Sequence, residues 1–153
     1  MRLDEETRAT DIAALLNSVT DDLADIGQNV TLEAPQRVIY RCRPGALTRA
    51  LRNLIENAVR YGDCARVVLS GTPATGIRID IDDDGPGITA EERERVFEPF
   101  VRLEGSRSTE TGGIGLGMAI ARDIVHHHGG SISLENRPEG GLRVSVKLPA
   151  NPT

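Results

Sequence analysis

Isoleucine stands at every second position in GIRIDIDDDGPGI, where Ile77, Ile79 and Ile81 alternate with Arg78, Asp80 and Asp82. A period of two marks a strand with one buried face, because successive side chains leave a strand on opposite sides. A chain with such a strand must cover one face of a sheet and leave the other wet. Continuing the alternation puts Asp83 on the isoleucine face, just before the glycine turn. A carboxylate there must find hydrogen-bond donors or give up its charge, since burying an unpaired polar group costs roughly 2–7 kcal/mol. Asp82 and Asp84 point the other way and read as solvated, so neutralising Asp82 is expected to change little.

The rest of the pattern builds a partner layer for that sheet. TDIAALLNSVTDDLADIG has helical spacing after a cap at Thr10 and stops at Gly27. NVTLEA and RVIYRC read as short strands, and RPGALTRALRNLIENAVRYG as a longer helix ending at Gly62. ARVVLSG and GIRIDID form a hairpin around GTPATG. Thr89 and Glu92 supply a capping box for the short helix TAEERERVF. LGMAIARDIVHHHGG is helical, and SISLEN and LRVSVKL are strands joined by RPEGG. The expected fold is a single α/β (α+β) domain over residues 1–153. It is a two-layer sandwich: a mixed, mainly antiparallel sheet of about five strands, covered on one face by about three helices. Residues 101–115 break the regularity as a long Gly, Ser, Thr, Arg and Glu loop, of the kind that either serves as a lid or binding segment or is disordered.

Composition narrows the partners. The net charge is −5, which gives no reason to expect nucleic acid. With 3% aromatics and no tryptophan, the core must be aliphatic. Cys42 and Cys64 read as reduced and buried. No apolar run spans a bilayer and no signal-peptide pattern follows Met1, so the segment reads as cytoplasmic, without direct membrane contact.

On the long helix, Leu47, Leu51, Leu54, Ile55 and Ala58 share an apolar sector, while Asn53, Asn57 and Arg60 form a polar strip. Such a strip is also what a solvated face looks like. An amide oxygen is, however, a hard neutral ligand suited to Mg²⁺, and a guanidinium can hold phosphate oxygens in pairs. Gly113, Gly115 and Gly117, with Leu116 among them, open a helix whose free N–H groups suit phosphates. Arg102 and Arg107 lie in or beside the loop, within reach of a terminal phosphate if it closes, although a solvated role fits them as well. Phe97 and Phe100 anchor the root of that loop. His126, His127 and His128 point about 100° apart on a helix and cannot converge on one metal ion, so they read as a helix end.

NLIENAVRYG, DDDGPGI, FEPF and GGIGLGMAI, in that order, resemble the N box, first glycine box, F box and second glycine box of the ATP-binding domain of sensor histidine kinases. That family lies in the superfamily of gyrase-type ATPases, heat-shock chaperones and mismatch-repair ATPases. The resemblance covers residues 46–148. It implies a Bergerat-type ATP-binding fold with ATP and Mg²⁺ as ligands. Asn57, assisted by Asn53, would hold magnesium; Arg60 would approach the phosphates, and Tyr61 would pack on the adenine. The aspartate that reads the adenine amino group maps onto Asp83, with Gly85 and Gly87 in the turn and Ile88 lining the pocket.

The resemblance also implies what the segment lacks. Nothing before Asp11 resembles the phosphoacceptor histidine motif of a dimerisation domain. Gyrase-type relatives place a water-activating glutamate where Asn53 stands, and Glu56 projects away from Asn53 on the side opposite Asn57. The expected function is therefore transfer of the γ-phosphoryl group of Mg-ATP to a histidine on a separate dimerisation domain of the same parent sensor, and indirectly to a response regulator. The parent is expected to be a two-component kinase, with an inner-membrane sensor as one form. A serine kinase of the anti-sigma type and an ATP-sensing interaction module are the alternatives; FEPF leans against the first, and the intact boxes against the second.

Overall fold

The computed structural model describes residues 3–97 and 114–151, with backbone alone for residues 94 and 114–116. Its elements are β1 (Arg8–Asp11), α1 (Ile12–Asp25), β2 (Val30–Glu33), β3 (Ile39–Cys42), α2 (Pro44–Gly62) and β4 (Ala65–Thr72). There follow β5 (Gly76–Asp82), α3 (Ala90–Arg95), α4 (Ile114–His127), β6 (Ser131–Asn136) and β7 (Leu142–Leu148). Five strands form one sheet in the order β2-β4-β5-β7-β6. Only β2 and β4 run parallel; the other pairs are antiparallel, which gives the expected mixed, mainly antiparallel sheet.

The isoleucine alternation places β5 at the centre of this sheet. Ile77, Ile79 and Ile81 are buried beside Val67 and Leu69 of β4 and Val144 and Val146 of β7. The apolar sector of α2 meets them, with Leu47, Leu51, Leu54, Ile55 and Ala58 all buried. Each such leucine or isoleucine contributes about 1.5–3 kcal/mol on leaving water, so this aliphatic layer is what holds α2 to the sheet. The opposite face carries polar pairs: Arg78 with Asp80, Ser145 with Asp80, and Arg143 with Asp82. Cys42 and Cys64 are free and buried.

Two local readings shift. The cap of α1 is Asp11 rather than Thr10. Asp11 Oδ1 accepts the N–H groups of Ala13 and Val38 at 3.1 Å, whereas the Thr10 hydroxyl donates back to Arg8 O. One carboxylate oxygen thus caps the helix and ties it to the segment before β3. Thr10 belongs instead to β1, which pairs antiparallel with β3 in a separate two-stranded sheet. RATD has no alternation of its own, and only its distant partner makes it a strand.

The capping box of α3 forms between Thr89 and Glu92. The histidine run closes α4: His127 and His128 each place Nδ1 at 2.8 Å from the carbonyl four residues back, and His128 Nε2 accepts the Arg43 N–H at the start of α2. No helix among the described residues is long and apolar enough to cross a membrane.

Candidate functional site

Asp83 follows the last residue of β5 and is 4% exposed, on the isoleucine side as its parity requires. Its Oδ1 accepts two backbone N–H groups, from Gly85 at 2.9 Å and Leu142 at 3.1 Å. Among the described residues no hydrogen bond reaches Oδ2. Burial pushes the Asp83 carboxyl above the usual carboxylate range; the Gly85 and Leu142 N–H groups work against that shift, and the neighbouring Asp84 charge adds to it.

Glycines make room around Asp83, for its side chain at Gly62 and for the neighbouring backbone at Gly85 and Gly141. A Cβ on Gly62 would lie 2.4 Å from the Asp83 side chain, one on Gly85 2.5 Å from Tyr61 O, and one on Gly141, at φ +91°, 1.9 Å from Asp83 O. Gly62 is thus the last residue of α2 for a packing reason. The left-handed residue that ends the helix is Asp63, at φ 65°. Gly62→Ala should lower stability by about 1–3 kcal/mol through overpacking, and should weaken nucleotide binding by displacing Asp83. Denaturant melts and calorimetry on the same variant would measure both.

The polar strip of α2 lies on the same helix. Asn57 is buried, with Oδ1 accepting from Arg60 Nη1 at 3.1 Å, while Asn53 and Arg60 are half-buried. Gly117, in the first turns of α4, faces this strip: a Cβ there would lie 3.9 Å from Asn57 Nδ2 and 4.0 Å from Asn53 Cβ. The start of α4 therefore packs over the two asparagines. Along α2, Asn57 and Asn53 precede Gly62 by about 8 and 14 Å at 1.5 Å per residue. Glu56 is drawn off to Arg52 by a 2.7 Å ion pair one turn back, away from the strip.

Ile88 is 5% exposed, and Tyr61 is half-buried at the end of α2. The Phe97 ring packs against the core and carries the Arg122 guanidinium 5.2 Å from its centroid. Gly115 and Leu116 lie in the first turn of α4, where backbone N–H groups lack helical partners. Phe100, Arg102, Arg107 and Gly113 lie outside the described residues, as does nearly all of the expected lid at 101–115.

The structure corrects the reading of the outer aspartates. Asp82 is 9% exposed and gripped by Arg143, which donates Nε to Oδ1 at 2.8 Å and Nη2 to Oδ2 at 2.9 Å. Asp84 is exposed but paired through both oxygens with Arg66, at 2.7 and 2.9 Å; that guanidinium holds its carboxyl well below the usual range. Parity gave the face correctly but not the partners, since the arginines come from neighbouring strands.

Two residues at the β6–β7 turn escaped the sequence reading. Asn136 donates to Ile88 O at 2.8 Å and accepts from Ile88 N at 2.9 Å. Arg137 Nη1 donates to Asp83 O at 3.0 Å, Gly140 O at 3.1 Å and Asp84 Oδ1 at 3.3 Å. Asn-Arg-Pro before two glycines reads as turn chemistry alone.

Elsewhere, an open groove of about 560 Å³ lies between β1, α1 and the start of α2, lined by Arg8, Thr10, Leu15, Pro44 and Thr48 among others. It is at the other end of α2 from Asp83.

Residues 42–152 match the family model of histidine kinase-, DNA gyrase B- and HSP90-like ATPases. The sensor histidine kinase GtrS of Pseudomonas aeruginosa is 42% identical over 146 residues, covering 95% of this chain and 29% of that protein. The sensor histidine kinase CpxA of Escherichia coli is 37% identical over 137 residues, covering 88% of this chain and 30% of its own length. The chain thus spans less than a third of these curated relatives. The crystal structure of the ATP binding domain of PrrB from Mycobacterium tuberculosis superposes with a TM-score of 0.77 at 32% identity, covering 97% of this chain and all of that one. The chain belongs to the histidine kinase-, DNA gyrase B- and HSP90-like ATPase family.

Proposed function

We propose that this chain binds Mg-ATP and presents the terminal phosphoryl group to a histidine on a separate dimerisation domain of a two-component sensor kinase. The observation that carries this reading is the layout of α2. One helix has a buried carboxylate packed on its last residue and two amides, about 8 and 14 Å back along its axis, facing the opening of α4. A nucleoside polyphosphate laid along the helix would meet a base acceptor at one end and phosphate-binding groups at the other.

The residues fit both ligands. Asp83 Oδ1 is fixed by two backbone N–H groups, which aims Oδ2 as a pure acceptor for an exocyclic amino group. Ile88 and Tyr61 would flank the base. The Asn57 amide oxygen, assisted by Asn53, would complete the shell of a magnesium ion that otherwise keeps waters and phosphate oxygens. Arg60 steadies Asn57 and can turn to a phosphate. The N–H groups of Gly115, Leu116 and Gly117 at the start of α4, with Gly113, Arg102 and Arg107 contributing from the segment before it, would receive the phosphates. Magnesium would supply charge neutralisation and orientation; phosphoryl transfer otherwise asks the protein mainly for positioning. No carboxylate stands ready to activate water on this strip, because Asn53 is an amide and Glu56 is engaged by Arg52. The bound nucleotide is thereby reserved for an external acceptor. That acceptor belongs to the parent protein, with a response regulator downstream.

Calorimetry with ADP, with and without magnesium, tests the binding step, and a phosphoacceptor domain supplied in trans tests the transfer. Wild type should bind ADP more tightly with magnesium. Asn57→Ala should weaken binding about tenfold in magnesium and leave it unchanged in chelator, the size of one lost polar contact. No binding by wild type at millimolar ADP would sink the reading.

A further inference from the structure

The segment from Asp83 to Ile88 is held at both ends by two consecutive residues that are distant in sequence. At its near end, Arg137 Nη1 donates to the Asp83 carbonyl and to Asp84 Oδ1. At its far end, Asn136 closes a two-point pair with Ile88, one bond to the N–H and one to the carbonyl. A side-chain amide matches a backbone amide in both donor and acceptor, so the pair fixes the Ile88 peptide groups in position and orientation. Gly87 sits beneath it at φ +74°, and a Cβ there would lie 2.4 Å from Asn136 Oδ1. The turn that supplies both residues is itself pinned, with Arg137 N donating to Gly141 O and Leu142 N to Asp83 Oδ1.

We infer that Asn136 and Arg137 are positioning residues for base recognition: the β6–β7 turn straps the Asp83–Ile88 loop so that the carboxylate meets an adenine amino group at a fixed place. The inference rests on Asp83 being the base acceptor proposed above. Neither residue needs to touch the nucleotide. The loop contains Gly85, Pro86 and Gly87, which supply little side-chain packing of their own, so its geometry depends on what grips it from outside. Arg137 is suited to the near end because its fork reaches a carbonyl and a carboxylate together, with Nη2 held by Glu139 at 2.7 Å.

A structural strap and a base-positioning strap differ in what they change. Loss of packing weakens every nucleotide alike, whereas a displaced carboxylate penalises the ligand that bears the amino group. The test compares ADP with inosine diphosphate, which has a carbonyl at that place, by calorimetry on the 153-residue chain, with thermal melts alongside. Asn136 is exposed, so Asn136→Ala leaves the core intact. Asn136→Ala and Arg137→Met should each weaken ADP about tenfold, the scale of a lost polar anchor, and inosine diphosphate by less than about threefold. Arg137→Lys, which keeps the charge and N–H donors on a single nitrogen but not the planar fork, should recover part of the loss. Unchanged ADP affinity in Asn136→Ala would overturn the inference, and so would equal losses for both nucleotides. A wild-type chain that binds both diphosphates equally would instead overturn the role of Asp83, and the strap's purpose with it.

Discussion

Asp83→Asn should weaken ADP binding about a hundredfold and at the same time raise the melting temperature of the free chain. The loss follows from hydrogen-bond sense: an amide can present an N–H to the adenine amino group, so a bond to a charged acceptor gives way to two opposed donors, a change of roughly 1.5–3 kcal/mol. The gain in stability follows from burial. The folded carboxyl titrates above its unfolded value because it is desolvated, so ionising it at neutral pH works against folding. Asparagine keeps the acceptor for Gly85 and Leu142 and carries no charge. The sign gives a pH window. The advantage of Asn should be complete above the raised folded value, shrink as pH falls through it, and vanish only below about pH 3.9, where wild-type Asp83 is protonated in both states. Melts of both proteins from pH 4 to 8, with ADP titrations at pH 7.5, would check this. A variant that melts lower at neutral pH would show that the carboxylate is a structural anchor and not a strained acceptor.

That a site residue should cost stability agrees with how it was found. Asp83 was legible because parity is a local property: three isoleucines at alternate positions fix which way the next side chain points, and only its chemistry is out of place. The strand segments SISLEN and LRVSVKL were legible to the residue for the same reason, with turn signals at their ends. The polar strip of α2 was legible from helical period. What stayed hidden needed partners far along the chain. β1 is a strand only against β3, Asp82 is paired only because β7 places Arg143 directly across from it, and Asn136 meets Ile88 across 48 residues. Gly62 was legible as a helix end but not for its reason, since the side chain that requires the glycine, Asp83, arrives from just beyond β5.

Asp82→Asn should do the reverse of its neighbour, lowering stability by about 1–3 kcal/mol while leaving ADP affinity within about fivefold. The sequence marks Asp82 as solvated, and a solvated carboxylate tolerates neutralisation. In the structure its side chain is 13% exposed and receives two N–H groups from Arg143, with Arg137 Nε 3.6 Å from Oδ2. That Arg137 nitrogen is buried and makes no hydrogen bond among the described residues, so the Asp82 charge is the compensation nearest to it. Asparagine retains one acceptor for Arg143 Nε but turns its amide N–H groups towards a second donor. Both guanidiniums then remain beside a neutral group. Partial exposure of Arg143, at 36%, keeps the cost below that of a fully buried pair. For a domain of this size, at about 2–4 °C per kcal/mol, the melting temperature should fall by about 2–12 °C. ADP binding should survive, because Asp83 keeps its bonds from Gly85 and Leu142, and Arg137 keeps its grip on the Asp83 carbonyl through Nη1. Two adjacent aspartates would thus separate cleanly, one neutralisation trading binding for stability and the next costing stability alone. If Asp82→Asn instead abolished ADP binding in a chain that still melted cooperatively, the outer ion pair would have to be part of the recognition surface itself.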